Sequence, residues 1–250
     1  MKTSTTTIQT LSNPKIAIII TAAGSSSRMG GSVKKEFLPL KDGTVLSSCA
    51  SAFLNALSKN YQITDFVITC RAGSEGEAKD AVKSCAYDGF SFVTGGKSRQ
   101  ESVFKGLLEV EKNGNCPDIV MIHDGARPFV TEKIILEGVE TALEFGASVP
   151  GLTPTDTQKE IDENGMIVRH LVRSRLAAVQ TPQNFNFERL LEAHKKAALQ
   201  VEQLAAGGIK KEFTDDTEIW GQLCGKVKVY EGDIKNIKIT FPKDLETLNK

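Results

Sequence analysis

Residues 16–30, IAIIITAAGSSSRMG, place a loop of small residues directly after a short apolar run. Residues 16–21 lack the alternation of polar and apolar side chains, which is typical of a strand buried on both faces of a parallel sheet. In Ala22, Ala23 and Gly24 the small side chains let the backbone approach a ligand, and successive N–H groups in such a loop can surround phosphate oxygens. The stretch therefore predicts an α/β domain with an anion-binding loop after its first strand.

Downstream of this stretch, short apolar runs alternate with amphipathic segments. Because parallel strands need crossover helices, the alternation predicts a doubly wound, mostly parallel sheet. Ligands of such sheets bind beyond the carboxyl ends of the strands, so the loops after Ile20, Val93 and Ile122 are expected to carry the chemistry. The predicted strands are 63–69, 90–93, 119–122 and 147–149, and the predicted helices are 44–57, 75–86, about 103–108 and 131–145.

The alternation is interrupted between about residues 151 and 174. Two extended runs, 157–161 and 166–172, flank Asp162-Glu-Asn-Gly165, and Asn-Gly between such runs predicts a protruding β-hairpin. An excursion of this kind is either a lid or an arm that grips a partner. Beyond it we expect helices from about residue 188 and near 215–223, and short strands at 226–230 and 237–240.

Composition limits the kinds of partner. The chain has 250 residues, of which 40% are hydrophobic and 25% charged, so residues 16–250 can form one globular domain. Lys plus Arg equals Asp plus Glu at 31 each, which indicates neither a nucleic acid nor an anionic membrane as partner. The longest apolar run, residues 16–20, is too short to cross a bilayer.

The cysteines and the amino-terminal segment bear on location. The five cysteines are scattered and the chain has three histidines, which favours free thiols in a reducing cytoplasm over a zinc site. Residues 1–15 are rich in Ser and Thr but lack an apolar signal core and arginine. They predict a disordered leader, with a fragment of a targeting sequence as the alternative.

The first loop adds two full positive charges, Arg28 and Lys35, to its backbone amides. The glycine fingerprint of dinucleotide-binding folds is absent from it, and so is the P-loop pattern. These absences disfavour a dehydrogenase and a P-loop NTPase. A flexible loop with solvated charges is the structural alternative.

Two further loops carry polar residues at the same predicted edge. Residues 94–102, TGGKSRQES, combine paired glycines that admit a flat base with several donors, although a solvated turn is the more common explanation of such a loop. Residues 123–128, HDGARP, hold Asp124 and Arg127, which could bind a hydroxyl and a phosphate or pair with each other. His123 is expected to be a hydrogen-bonded structural histidine, because no metal partner is evident.

Taken together, these segments resemble the 2-C-methyl-D-erythritol 4-phosphate cytidylyltransferase family, in order and with matching spacing from about Ile16 to Leu248. One such motif is weak, whereas six in register are specific. The matching segments are Ala-Ala-Gly-x-x-x-Arg-Met (22–29) with Lys35, Gly-Gly-x-x-Arg-x-x-Ser (95–102), His-Asp-x-Ala-Arg-Pro (123–128), Thr-Pro-Gln (181–183), Thr-Asp-Asp (214–216) and Asn-Ile-Lys-Ile-Thr (236–240). Lys97 departs from the family pattern, in which an acidic residue is common.

The resemblance implies roles for individual residues. The nucleotide would be bound by Ala22, Ala23, Gly24, Gly96 and Ser102. The catalytic cations would be Arg28, Lys35 and Lys238. The methylerythritol phosphate would be bound by Asp124, Arg127, Thr157, Arg173, Thr181 and Thr214.

The resemblance also implies a cofactor and a partner. Mg²⁺ would be held mainly through the phosphates of CTP, with no residue assigned as a metal ligand. The arm, residues 151–175, would clasp a second subunit in a cytoplasmic homodimer, so that Thr157 and Arg173 complete the neighbour's pocket.

Elementary chemistry supports the roles predicted for these residues. A phosphate monoester has a second pKa of about 6 and is largely dianionic at neutral pH, so as a nucleophile it needs no catalytic base. The nearest alternative is a sister enzyme that uses ribitol 5-phosphate, although Thr157 together with HDGARP favours methylerythritol phosphate. A non-catalytic nucleotide-binding module is a further alternative, and it would not need both Arg28 and Lys35.

Overall fold

The computed structural model of the chain describes residues 13–24, 34–40, 43–209 and 211–244. Short 3₁₀ turns accompany the regular elements, among them Lys35–Phe37, Lys83–Cys85 and Arg173–Arg175. The strands are β1 (Lys15–Ala22), β2 (Pro39–Leu40), β3 (Gly43–Thr44), β4 (Gln62–Cys70), β5 (Phe90–Thr94), β6 (Ile119–Asp124), β7 (Ala147–Leu152), β8 (Lys159–Ile161), β9 (Ile167–His170), β10 (Ala178–Val179), β11 (Gln183–Asn186) and β12 (Lys228–Glu231). The helices are α1 (Val45–Leu57), α2 (Glu75–Ala81), α3 (Arg99–Asn113), α4 (Glu132–Phe145), α5 (Phe187–Ala206) and α6 (Asp216–Leu223).

The central sheet has the strand order β10-β7-β11-β6-β1-β4-β5, and β12 pairs with β7. Strand β1 lies in the middle and runs parallel to both β4 and β6, while β5 is parallel to β4. Strand β11 is antiparallel between β6 and β7. The predicted α/β architecture with a mostly parallel sheet is confirmed.

Helices cover both faces of the sheet, as the uninterrupted apolar run of β1 requires. Ile16, Ile18 and Ile20 pack with α1, α2 and α4 on one face. Ala17 and Ile19 pack with α3, α5 and α6 on the other. All five residues are fully buried, and burying a branched aliphatic side chain contributes about 1.5–3 kcal/mol. Strand β1 is therefore the centre of the core, and its carboxyl end is rigidly placed.

The register of the parallel strands brings three loops to one edge. Thr21 of β1 lies opposite Asp124 of β6, and Ala22 lies opposite Cys70 of β4. Cys70 in turn lies opposite Thr94 of β5. The chain segments that leave these strands therefore start side by side.

The predicted hairpin is present as a separate two-stranded sheet, β8 with β9. At its turn the Asp162 carbonyl accepts a hydrogen bond from Gly165 N–H, and Asp162 Oδ1 accepts one from Met166 N–H. Gly165 has φ of 79°, a backbone conformation that glycine adopts without strain. Four large apolar side chains in β8, in β9 and in the turn that joins them are more than half exposed: Ile161, Met166, Ile167 and Val168.

Some predicted boundaries are wrong. Residues 237–240 do not form a strand, because the Ile239 N–H donates to Ala126 O and the Ile239 carbonyl accepts from Lys35 Nζ, so these groups serve a loop and a side chain instead of a ladder. Helix α2 ends at Ala81, well before the expected residue 86. Lys15 belongs to β1 instead of the leader; residues 1–12 of the predicted leader lie outside the described residues. No helix in the described part of the chain is long and apolar enough to span a bilayer.

Candidate active site

A cavity of about 740 Å³ opens at the carboxyl edge of the central strands. All three loops that were expected to carry chemistry contribute to its wall, together with the segment after β12. The described lining residues are Thr21, Ala23, Gly24, Lys35, Glu36, Arg71, Gly96, Lys97, Ser98, Arg99, Ser102, Asp124, Ala126, Glu212, Lys238 and Thr240.

The predicted site residues fall into groups by their place relative to this cavity. Seven line it: Ala23, Gly24, Lys35, Gly96, Ser102, Asp124 and Lys238. Three are close behind its wall: Ala22, which ends β1, Arg127, which pairs with Asp124, and Thr181, which bonds to Asp124 N–H. Three are exposed and absent from the described lining: Thr157, Arg173 and Thr214. Arg28 lies outside the described residues.

The glycine loop after β5 packs directly against the loop after β1. Gly95 N–H donates to the carbonyl of Cys70, and a Cβ on Gly95 would overlap with Ala23. Gly96 N–H donates to Ser102 Oγ at 3.0 Å. Close approach of the two loops explains Gly95, whereas a Cβ on Gly96 would overlap with the side chain of Glu101 in α3.

Helix α3 begins at the cavity. Ser98 caps it by accepting a hydrogen bond from Glu101 N–H at 3.1 Å, and Ser98 and Arg99 both line the cavity. The amino terminus of a helix carries a partial positive charge, which favours anions. This end of α3 therefore adds to the positive potential of the site.

Five cationic side chains are among the described lining residues of the cavity, and three of them come from segments outside the loop between β5 and α3 and the first turn of α3. Lys35 is 8% exposed, and its Nζ donates to Ile239 O at 2.8 Å. Lys238 Nζ lies 2.8 Å from Asp124 Oδ2. Arg71 Nε donates to Gly24 O at 2.7 Å and its guanidinium donates a second bond to the same carbonyl. The arrangement can hold a polyphosphate, because charge-assisted hydrogen bonds to phosphate are strong.

Arg71 was not among the residues expected from the sequence. It follows β4 directly, so its position after the strand was a usable signal. It also holds the carbonyl of Gly24, and thereby fixes the start of the first loop.

Asp124 is the carboxylate at the centre of the wall. Its oxygens lie 2.8 Å from Lys238 Nζ, 3.5 Å from Arg127 Nε and 3.8 Å from Arg99 Nε. Burial alone would raise the pKa of Asp124, but Lys238, Arg99 and Arg127 outweigh it and hold that pKa well below its usual range. The carboxylate is therefore ionised, and three cations share one negative charge.

His123 supports Asp124 from inside the core. Its Nε2 lies 3.1 Å from Arg127 O and its Nδ1 lies 3.0 Å from Thr181 Oγ1. Arg127 O can only accept, so we assign the neutral Nε2–H tautomer, with Nδ1 accepting from Thr181. Burial lowers the pKa of His123 to about 4. The expected structural histidine is confirmed.

The Thr-Asp-Asp segment has a local role at α6. Asp215 caps the helix, because its Oδ1 accepts a hydrogen bond from Glu218 N–H at 3.0 Å. Thr214 Oγ1 donates to Glu218 Oε2 at 2.9 Å. Asp216 is fully buried and its Oδ2 lies 2.6 Å from Arg99 Nη1, a contact that sequence patterns did not indicate.

The two substrate-binding residues predicted in the arm do not reach this cavity. Arg173 Nη1 donates to Thr155 O at 2.7 Å, and both Thr157 and Arg173 are exposed to solvent. A single chain therefore does not bring them to the wall that contains Asp124.

Comparison with known proteins assigns the chain to a family. A model of the family described as 2-C-methyl-D-erythritol 4-phosphate cytidylyltransferase matches residues 16–249. The chain belongs to this family.

Relatives of this cytidylyltransferase match over nearly the whole chain. A 2-C-methyl-D-erythritol 4-phosphate cytidylyltransferase from Clostridium beijerinckii is 38% identical over 234 residues, which cover 92% of this chain and 95% of the relative. One from Clostridium kluyveri is 38% identical over 229 residues, covering 91% and 92%.

Solved structures share the fold of this cytidylyltransferase. The 4-diphosphocytidyl-2C-methyl-D-erythritol synthase of Anaerococcus prevotii superposes with a TM-score of 0.74 at 27% identity, covering 94% of this chain and 95% of the other. The 2-C-methyl-D-erythritol 4-phosphate cytidylyltransferase of Thermus thermophilus superposes with a TM-score of 0.69 at 29% identity, covering 94% and 97%. Membership makes the chain a nucleotidyltransferase, so the cavity of this enzyme is the place to look for CTP.

Proposed function

We propose that the enzyme transfers the cytidylyl group of CTP to the phosphate of 2-C-methyl-D-erythritol 4-phosphate in this cavity. The observation that carries the proposal is the convergence of Lys35, Arg71 and Lys238 with the amino terminus of α3 around one backbone-rich pocket. Two anions must meet here and pyrophosphate must leave, so fixed positive charge is the main requirement.

The reaction is an in-line displacement at the α-phosphorus of CTP. A phosphate oxygen of the second substrate forms a new bond to that phosphorus, and the bond to the bridging oxygen of the β-phosphate breaks, so that pyrophosphate leaves with the electron pair. The attacking monoester is largely dianionic at neutral pH. No base has to remove a proton from it.

Lys35 and Lys238 are proposed to stabilise the transition state, together with Arg28 of the first loop. Lys35 is held by the carbonyl of Ile239, next to Lys238 in the chain, which links the two amines through one segment. Lys238 would turn part of its contact with Asp124 towards the incoming phosphate. Arg71 would add charge beside Gly24.

The binding roles are proposed as follows. Ala22, Ala23 and Gly24 would present backbone amides to the triphosphate, and Gly96 and Ser102 would lie near cytosine and ribose. Asp124, Arg127 and Thr181 would form the polyol-phosphate subsite. Thr214, bonded to Glu218 in this structure, would have to exchange that partner in order to join the subsite.

We propose Mg²⁺ as the cofactor. In the described residues no three His, Cys, Asp or Glu side chains are grouped so as to hold a metal ion, and Asp124 already faces three cations. A hard ion that keeps several waters and binds through substrate phosphates fits such a pocket. When bound, Mg²⁺ neutralises phosphate charge and polarises the phosphoryl oxygens.

We propose a homodimer joined through the arm, residues 151–175. Exposed Ile161, Met166, Ile167 and Val168 form an apolar surface at its end, and surfaces of this kind are typical of association sites. Thr157 and Arg173 would then reach the partner's cavity. Light scattering should give twice the chain mass for the wild type and a single chain mass for Ile167→Lys. A monomeric wild type would contradict the proposal.

The cytoplasm is the proposed location. Cys49, Cys70, Cys85, Cys116 and Cys224 are all free, and free thiols persist in a reducing compartment. Immunoblotting of separated cell fractions would test this, and recovery with an oxidising compartment would contradict it.

Pyrophosphate release tests the activity itself. The protein with Mg²⁺ and CTP should release pyrophosphate when given 2-C-methyl-D-erythritol 4-phosphate, and should lose that release when EDTA is added. Ribitol 5-phosphate in place of the first polyol phosphate, and UTP or GTP in place of CTP, serve as matched controls. Faster turnover with ribitol 5-phosphate would favour the sister activity, and nucleotide binding without any release would favour a non-catalytic module.

A further inference from the structure

Arg99 lies between two carboxylates, one in the cavity wall and one in the core. Its Nη1 is 2.6 Å from Asp216 Oδ2, and its Nε is 3.8 Å from Asp124 Oδ1. The Arg99 side chain is 26% exposed and lines the cavity, whereas the Asp216 side chain is fully buried and absent from the described lining. Asp216 therefore acts on the site through Arg99.

The other oxygen of Asp216 is held by a histidine. His194 of α5 places Nε2 at 3.1 Å from Asp216 Oδ1, and its side chain is fully buried. His194 Nδ1 has no hydrogen-bond partner among the described residues, and the ring stacks on Phe104 at 6.0 Å. We therefore place the ring hydrogen that faces Asp216 on Nε2, so that it donates to Asp216 Oδ1.

A buried carboxylate needs such partners. Burial alone would raise the pKa of Asp216, but the charge of Arg99 and the hydrogen bond from His194 outweigh it and lower that pKa. Asp216 N–H also donates to Gln183 Oε1 at 3.2 Å. Both oxygens and the backbone of Asp216 are thus fixed by neighbours on α3, α5 and β11.

We propose that His194 and Asp216 are positioning residues for Arg99, and through Arg99 for Asp124. The inference rests on the proposed function, in which Asp124 contacts the polyol phosphate. If Lys238 turns towards a phosphate, Asp124 loses its nearest cation. Arg99 cannot move with Lys238, because Asp216 holds its guanidinium. Arg99 therefore keeps a positive charge beside Asp124 and preserves the position of that carboxylate.

Two substitutions at one position test the proposal. His194→Leu removes the hydrogen bond to Asp216, whereas His194→Gln can present an amide N–H where the imidazole Nε2–H lies. In His194→Leu we expect the KM for 2-C-methyl-D-erythritol 4-phosphate to rise about tenfold and the KM for CTP to stay within about twofold, the size expected for losing a hydrogen bond to a charged group. His194→Gln should restore most of the affinity.

Leu190→Val is the matched control for lost packing. Leu190 is fully buried on the same helix, one turn before His194, so its substitution should lower Tm while leaving both KM values unchanged. The inference is overturned if His194→Leu changes Tm but neither KM, or if His194→Gln is as impaired as His194→Leu. Asp216→Asn, which removes the charge with little change of shape, carries the same expectation if His194→Leu does not fold.

A crystal structure of the variant separates this inference from the proposed activity. With His194→Leu, Arg99 should leave its contact with Asp216 or adopt more than one conformation, whatever substrate the enzyme uses. An unmoved Arg99 would overturn the positioning role even in a fully active enzyme. A wild type without cytidylyltransferase activity would instead refute the proposed function.

Discussion

The cavity wall at the end of β6 and the arm were both expected to bind the same substrate. They differ in how firmly contacts within one chain hold their substrate-binding side chains in place. Asp124 in the wall is buried, with hydrogen-bonded support from Thr181 and an ion pair to Lys238. Arg173 in the arm is exposed, and its guanidinium bonds to a neighbouring carbonyl. Burial in one chain preorganises the wall, whereas the side chains of the arm would be fixed only by a second surface.

One ion pair in the wall and one in the arm should differ in how much they stabilise the folded protein. Lys238 Nζ lies 2.8 Å from Asp124 and Arg169 Nε lies 2.9 Å from Glu160 of the arm. In the second pair both side chains are at least half exposed. Nearly equal distances therefore predict unequal effects, because water screens the pair on the arm.

The largest expected effect is that of Asp124→Asn. Removing this charge leaves Lys238, Arg99 and Arg127 close together without their shared carboxylate, so unfolding should become easier by about 3 kcal/mol. Urea denaturation at pH 7 measures this change. A loss below about 1 kcal/mol would mean that the wall is no better organised than an exposed pair.

Lys35→Ala should lower kcat by about a hundredfold to a thousandfold, because a fixed donor to the developing charge is lost. Lys34→Ala is the matched control. Lys34 is the adjacent lysine, but its Nζ donates to Ser74 and pairs with Glu77 on the surface, so steady-state turnover should change less than about twofold. Equal losses in the two variants would assign the effect to charge in general.

Lowering the pH should destabilise the folded protein through His123, which supports the cavity wall. Its pKa falls from 6.5 to about 4 on folding, so the unfolded chain binds the proton more readily and stability is lost as pH falls from 6.5 towards 4. The loss amounts to about 3 kcal/mol and is absent above pH 6.5. In urea titrations across this range His123→Gln should show a shallower pH dependence, while His170→Gln, on the exposed arm, should match the wild type.

Much of the fold could be predicted from periodicity. Residues 16–20 of β1 and 119–122 of β6 are wholly apolar, residues 66–68 form an apolar centre in β4, and turn-forming residues bound each strand. Strand β11 was missed because it is polar: the Gln183 side chain bonds to Asp215 and that of Asn184 bonds to Ser148. Such satisfied polar side chains in a sheet have no pattern that a sequence reveals.

The cavity could be predicted in part for a related reason. Loops after parallel strands meet at one edge, so Gly96 and Asp124 were expected together, and Arg71 could have been found by applying the same rule to β4. Asp216 could not be found in this way. Its proposed role depends on contacts with Arg99 of α3 and His194 of α5, which are 117 and 22 residues away in the chain.

Arg173→Ala tests whether the arm acts across a subunit boundary. The KM for 2-C-methyl-D-erythritol 4-phosphate should rise about tenfold, because a charge-assisted hydrogen bond to phosphate is lost.

Mixing subunits sharpens this result. If the arm serves the partner's cavity, a dimer of one Lys35→Ala subunit and one Arg173→Ala subunit has one intact site. With 2-C-methyl-D-erythritol 4-phosphate held well below its wild-type KM, an equal, randomly paired mixture should therefore recover about one quarter of wild-type activity. Activity that stays at the level of the separate variants would show that each arm serves its own chain.

The smallest expected effect is that of Glu160→Gln on the arm. This change removes the partner of Arg169 at the same kind of distance as Asp124→Asn does in the wall, but both side chains remain in contact with water. The free energy of unfolding should therefore fall by less than about 0.5 kcal/mol in the same urea titration. If the loss instead approached that of Asp124→Asn, the Glu160–Arg169 pair would have to be shielded from water, as it would be if the second subunit of the proposed dimer covered it.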